Sequence, residues 1–169
     1  TEKHGWVYRR ALVLSQLGIL YTRIGQDSLA FKLCDQAQKL IRGMPLTQAI
    51  PLRAMANAYS NLGGYAKALA YLRESTRIIL DTVPTFSELA SNYNSIAQLY
   101  SLLGNHTLAL LNAQQSLAFS ESNRLNKRQA QAASFMAVEY ARLSQFDHAT
   151  EELNRALDYF KGIEESQHA

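Results

Sequence analysis

Cysteine is nearly missing from this chain. Cys34 is the only one, so no internal disulfide can form. That fits a reducing compartment, and a cytoplasmic location is expected. Cys34 falls on the inner face of a predicted helix, where a thiol behaves as a small buried apolar group. Breakers are thin as well: three prolines and eight glycines among 169 residues leave long uninterrupted stretches. Alanine, leucine, serine and glutamine fill them, and that mixture favours helix. Charged residues make up only 18% against 47% hydrophobic, which excludes a solvated disordered chain. No run approaches about 18 consecutive apolar residues, so no membrane-spanning helix is expected. The opening Thr1-Glu2-Lys3-His4 has neither the apolar core of a signal peptide nor an initiating Met. The chain is expected to be a piece of a longer protein.

Chemistry-bearing constellations are scarce too. His4, His106, His148 and His168 are scattered, and none pairs with Cys or an acidic residue at metal-ligand spacing. His106 and His148 open predicted helices and read as surface residues. Glu151-Glu152 and Glu164-Glu165 are adjacent pairs, and adjacent helical side chains point apart. No glycine-rich phosphate loop or nucleophile elbow occurs. No catalytic residue, metal site or cofactor is therefore assigned, and the chain reads as a non-enzyme. Net charge is +3, divided as +6 over residues 1–84 and −3 over 85–169. The basic half suits an acidic partner or ordinary solvated helix faces. With an acidic second half and no basic stripe, nucleic acid is not an expected partner.

What the chain does have is a repeat. Tyr21, Tyr59, Tyr100 and Tyr140 lie 38, 41 and 40 residues apart. Four positions after each comes Gly25, Gly63, Gly104 or Ser144; nine after comes Ala30, Ala68, Ala109 or Ala149; sixteen after comes Ala37, Ser75, Ser116 or Ala156. Apolar stripes at helical spacing surround the tyrosines, beginning with Leu14, Leu17, Leu20/Tyr21 and Ile24. Glycine after each stripe takes the left-handed conformation that ends a helix, and Ser144 must do the same at a cost of roughly 1 kcal/mol. Second helices follow, with inward positions that include Leu111, Leu153, Leu157 and Phe160. The breaks between units fall at Gly43-Met44-Pro45, Pro84-Thr85 and Ser122-Asn123, and Thr85-Phe86-Ser87-Glu88 reads as a capping box. Helices are predicted near 6–24, 28–42, 46–62, 65–81, 86–103, 106–121, 125–143 and 146–163. The tyrosines themselves read as packing between paired helices.

These columns resemble the tetratricopeptide repeat: Leu14, Leu17-Gly18, Tyr21, Gly25, Ala30 and Ala37 follow its pattern, with Tyr65 and Phe146 at the aromatic position after the turn. The period departs from the family's roughly 34 residues. The longer helices look like repeats of bacterial regulators, such as maltose-regulator-like arrays. The resemblance implies an all-α, right-handed superhelix of about four antiparallel helix pairs. One domain over 1–169 is expected, with units near 9–43, 46–82, 86–121 and 125–161.

The resemblance also implies a site. First helices line a concave groove, whose exposed positions here are Ser15, Gln16, Thr22 and Arg23, then Arg53, Asn57, Ser60 and Asn61. They continue as Ser91, Asn94, Ser95, Gln98 and Ser101, then Gln131, Ser134, Phe135 and Arg142. The residues expected to hold a partner are Arg23, Arg53, Asn57, Asn61, Asn94, Gln98, Gln131 and Arg142. Amide side chains both donate and accept, which suits an extended peptide or protein segment. Arg53 and Asn57, one turn apart, form a candidate carboxylate clamp. The expected role is a regulatory or sensory binding segment of a bacterial signalling or transcription protein. The alternative is self-association, as a homodimer packed through the terminal helices, because the ends of an array need caps.

Overall fold

The computed structural model describes residues 2–40, 45–82, 86–122 and 126–167. Among these, the chain is all helix: α1 (Glu2–Arg23), α2 (Asp27–Leu40), α3 (Pro45–Asn61), α4 (Tyr65–Asp81), α5 (Phe86–Leu102), α6 (His106–Glu121), α7 (Asn126–Arg142) and α8 (Phe146–Gln167). The predicted map agrees with these bounds to within a few residues at each end. The expected breaks at Gly43-Met44 and Pro84-Thr85, Asn123 after Ser122, and the start of the capping box at Thr85 lie outside the described residues. The helices group into two compact units, Thr1–Pro84 and Thr85–Ala169. In the first, α1 packs on α2 and α3, and α3 on α2 and α4. In the second, α5 packs on α6 and α7 on α8, while α7 leans on α6 far more than on α5.

Each pair is closed by the same turn. Gly25, Gly63 and Gly104 have φ of 75°, 75° and 74°, and Ser144 has φ 59°. The expected left-handed serine is therefore present. The next residue's N–H reaches back to the tyrosine carbonyl: Gln26 to Tyr21 (2.9 Å), Gly64 to Tyr59 (2.8 Å), Asn105 to Tyr100 (2.9 Å) and Gln145 to Tyr140 (2.9 Å). With the bond from the left-handed residue to the carbonyl three before it, this is the Schellman arrangement. The same residue's carbonyl then accepts from the alanine that closes the first turn of the next helix: Ala30, Ala68, Ala109 or Ala149.

Small residues set the approach within a pair. Ala11, Ala49, Ala90 and Ala130, ten positions before each tyrosine, are all buried, as are Ala37, Ser75, Ser116 and Ala156 in the second helices. In the two middle pairs these columns are joined by a hydrogen bond: Ser75 Oγ donates to the Ala49 carbonyl at 2.9 Å, and Ser116 Oγ to the Ala90 carbonyl at 2.8 Å. Only residues of this size let two helix backbones come so close. Gly18 is the tightest case: a Cβ there would lie 2.5 Å from Cys34 Sγ.

Several expected inward positions are instead exposed. In α1 the buried face is Ala11, Ser15, Gly18 and Thr22, whereas Leu17, Leu20 and Ile24 are exposed. The apolar stripe is real, but the helix turns its small residues toward α2 because only they permit close packing. Ser15 and Thr22, expected in the groove, are thus buried, their hydroxyls bonded to the Ala11 and Ile19 carbonyls. Leu111, Leu153, Leu157 and Phe160 are likewise exposed, while Leu110, Ala113, Ser116 and Leu117 form the inner face of α6.

Candidate binding surfaces of the first helices

The expected partner-holding residues divide between the two units. In the first unit, Arg23 is exposed near the end of α1, Arg53 and Asn57 are half-buried on α3, and Asn61 is exposed at its end. In the second, Asn94 is half-buried and Gln98 exposed on α5, and Gln131 and Arg142 are exposed on α7.

Asn61 and Arg142 are engaged between neighbouring first helices. Asn61 Nδ2 donates to the Thr22 carbonyl at 3.1 Å, joining α3 to α1. Arg142 Nη1 donates to Ser101 Oγ at 2.5 Å, joining α7 to α5. Both bonds link the position two after one tyrosine to the position one after the preceding tyrosine. The same relation thus occurs in each unit, with different chemistry. Arg128 Nη1 makes a further cross-helix bond, to Ser91 Oγ.

Arg142 belongs to a cluster that the periodicity does not announce. Glu139 is 0% exposed, at a position where the other repeats carry Leu20, Ala58 and Leu99. Its Oε1 accepts from Ser101 Oγ at 2.8 Å and from Arg142 Nη1 at 2.9 Å. Its Oε2 lies 2.8 Å from His106 Nδ1, which carries the proton when it faces a carboxylate oxygen. His106 is therefore a half-buried partner of an acid 33 residues away, not the free surface residue expected. The pairing is long-range, so local spacing held no sign of it. The one available signal was an acid at a column otherwise apolar.

A second polar cluster joins α6 to α8. Arg155 Nη2 donates to Glu121 Oε1 at 2.6 Å, and the Tyr159 hydroxyl donates to the same oxygen at 2.5 Å. Glu152 lies beside Arg155 and is largely buried, with Oε2 lacking a hydrogen-bond partner. Burial pushes its carboxyl above the ordinary value, although Arg155 opposes the shift.

The tyrosine column is half-buried throughout. Tyr59 shows how it packs: Phe31 of α2 lies 4.6 Å from its ring, Tyr71 of α4 stacks at 5.5 Å, and the Lys67 ammonium sits 5.2 Å above it. Tyr140 meets His148 edge-on at 5.2 Å and packs on the core of the second unit. Among the described residues no group of three His, Cys, Asp or Glu side chains could hold a metal ion. No described helix is long and apolar enough to cross a membrane.

No protein-family profile matches the chain, and no curated protein matches it. Its fold does match solved structures. BtubC from P. vanneervenii superposes with a TM-score of 0.79 at 19% identity, over 91% of this chain and 64% of that one. A Rap protein complexed with Competence and Sporulation Factor gives 0.83 at 17% identity, over 90% and 43%. A signal transduction ATPase with numerous domains and a tetratricopeptide repeat sensor, from Pyrococcus horikoshii, gives 0.77 at 14% identity, over 96% and 26%. The chain thus spans under two thirds of the length of each of these proteins. With the repeated helix pairs, Schellman turns and small-residue columns, the fold of this chain is that of a tetratricopeptide-like helical repeat.

Proposed function

We propose that the chain is a non-catalytic scaffold that holds an extended protein or peptide segment along its first helices. It would serve as a regulatory or sensory part of a cytoplasmic bacterial signalling or transcription protein. The observation that carries this reading is the set of amide and guanidinium side chains that the first helices of each unit leave outward after small residues have taken the buried faces. In the first unit Arg23 is exposed and Arg53 and Asn57 are half-buried; in the second Gln98 and Gln131 are exposed and Asn94 is half-buried. Amides at such positions satisfy both donors and acceptors of an extended backbone, and a guanidinium adds a carboxylate contact. The names of two similar proteins, a Rap protein with a bound factor and an ATPase with a repeat sensor, suit the same kind of role.

The test is selection of binding peptides from a random display library, followed by titration against two variants. One carries Arg53→Ala and Asn57→Ala; the other carries Asn94→Ala, Gln98→Ala and Gln131→Ala. At least one is expected to weaken the selected peptide more than tenfold while retaining full helicity. Equal affinity for wild type and both variants would remove the first helices as the recognition surface.

A further inference from the structure

Two exposed apolar stripes lie on α1 and α8, and the chain's own packing shows what each is shaped to meet. In the second unit, α7 seats on α6 through Ala132 and Met136 against Ala113 and Leu117. Gln129 Nε2 donates to the Ser120 carbonyl at 3.1 Å at the end of the same contact. Forty residues after Ala113, Leu117 and Ser120 come Leu153, Leu157 and Phe160 of α8, at matching places in the repeat. They are 50%, 57% and 46% exposed. Counted from their tyrosines, Gln129, Ala132 and Met136 match Arg10, Val13 and Leu17 of α1. All three are exposed, and Trp6, one turn further along the same stripe, is 72% exposed. Thus α8 presents the surface that α6 offers to α7, and α1 presents the surface that α7 offers to α6.

We propose that α1 of one copy docks on α8 of a second copy in the register of α7 on α6, giving head-to-tail association. Val13 and Leu17 would cover Leu153 and Leu157, with Arg10 at the level of Phe160. Charge favours this occupant: the half of the chain holding α1 carries +6 and the half holding α8 carries −3. Arg9 and Arg10 are exposed beside one stripe, and Glu151 beside the other, where Asp158 is also exposed and pairs with Lys161 at 3.5 Å. Trp6, Arg10 and Val13 also border an open apolar hollow of about 540 Å³ that Leu14 and Leu40 line as well, which gives the α1 face relief as well as area. The contact is heterologous: each copy uses different surfaces toward its two neighbours, so it extends unless it closes into a ring. This inference is independent of the first-helix binding reading, because its readout is the mass of the chain alone.

The test is sedimentation velocity on the 169-residue chain over a concentration series, with Val13→Glu and Leu157→Glu. Both substitutions lie at exposed positions, and circular dichroism checks that the helices persist. Wild type is expected to gain mass with concentration and lose it with added salt, and each variant alone to associate at least tenfold more weakly. An equimolar mixture of the two variants should form a one-to-one pair and stop there, because each retains one intact face. A wild type that stays monomeric throughout would overturn the proposal and leave the stripes to a different partner. Association that survives Val13→Glu but not Leu157→Glu would also overturn it, showing α8 paired with α8.

Discussion

At the scale of single residues, this fold depends on atoms that are missing. Gly18 is buried between α1 and α2 because Cys34 Sγ occupies the place its Cβ would take, 2.5 Å away. Gly18→Ala is expected to cost about 1–3 kcal/mol through overpacking. In a Cys34→Ala background the clash is gone, and the better helix propensity of alanine should make the same change neutral or stabilising by up to about 1 kcal/mol. Urea unfolding of the four proteins of this cycle measures the coupling; equal costs in both backgrounds would show that the sulfur is not the obstacle. Burial also pushes the Cys34 thiol up to about 12, which fits its reading as an inert core group. At this scale the sequence was informative wherever a residue type has one conformational use. The three glycines and Ser144 at the turns were legible from position alone. Glu139 was not, because two of its three partners, Ser101 and His106, lie on α5 and α6 and reach it only when the chain has folded.

Whole helices are governed by which face turns inward, and here the most apolar face is not always the buried one. Helix existence and length were plain from periodicity and turn residues. The orientation of α1 and the exposure of Leu153, Leu157 and Phe160 on α8 are not legible there, because hydrophobicity marks a stripe without saying whether another helix covers it; Ala149 and Ala156 are buried as expected. Close pairing selected Ala11, Ser15, Gly18 and Thr22 in α1, and the large residues were left outside. The Glu139 cluster is the corresponding exception between pairs: a carboxyl with three polar partners at a place where repeats use leucine or alanine. Glu139→Ala should cost about 2–3 kcal/mol, since it removes the acceptor shared by Ser101, His106 and Arg142 and leaves a void. Glu139→Leu should cost less than half of that, because leucine fills the site as Leu99 does and the three partners are near enough to solvent to be hydrated. Chemical denaturation of both variants decides this, and equal losses would show that the hydrogen bonds matter more than the volume.

For the molecule as a whole, burial of titratable groups sets how stability responds to pH. The Glu152 carboxyl is raised, chiefly by desolvation. Its favourable contribution is complete below the ordinary carboxylate value and is lost as pH rises through its folded value. Glu152→Gln is therefore expected to raise the thermal midpoint at pH 7 and to make no difference near pH 4, which differential scanning calorimetry at the two pH values would show. A penalty for Glu152→Gln at pH 7 would mean that its contact with Arg155 outweighs its burial. Cys34, Tyr71 and Tyr159 are also raised, each mainly by burial, so they bias the chain toward losing stability above about pH 9. The turn geometry bears on the molecule's history as well. One residue in each turn gives its N–H to the first helix and its carbonyl to the second, so the segment has no room for an added or deleted residue. Across all four pairs the buried small residue of the first helix and that of the second stay 26 positions apart, while the stretch to the next pair is 12, 15 or 14. Spacing within a pair is thus constant and spacing between pairs is not, so a loop or tag grafted into a connection between pairs is expected to be accepted where the same graft inside a pair would not.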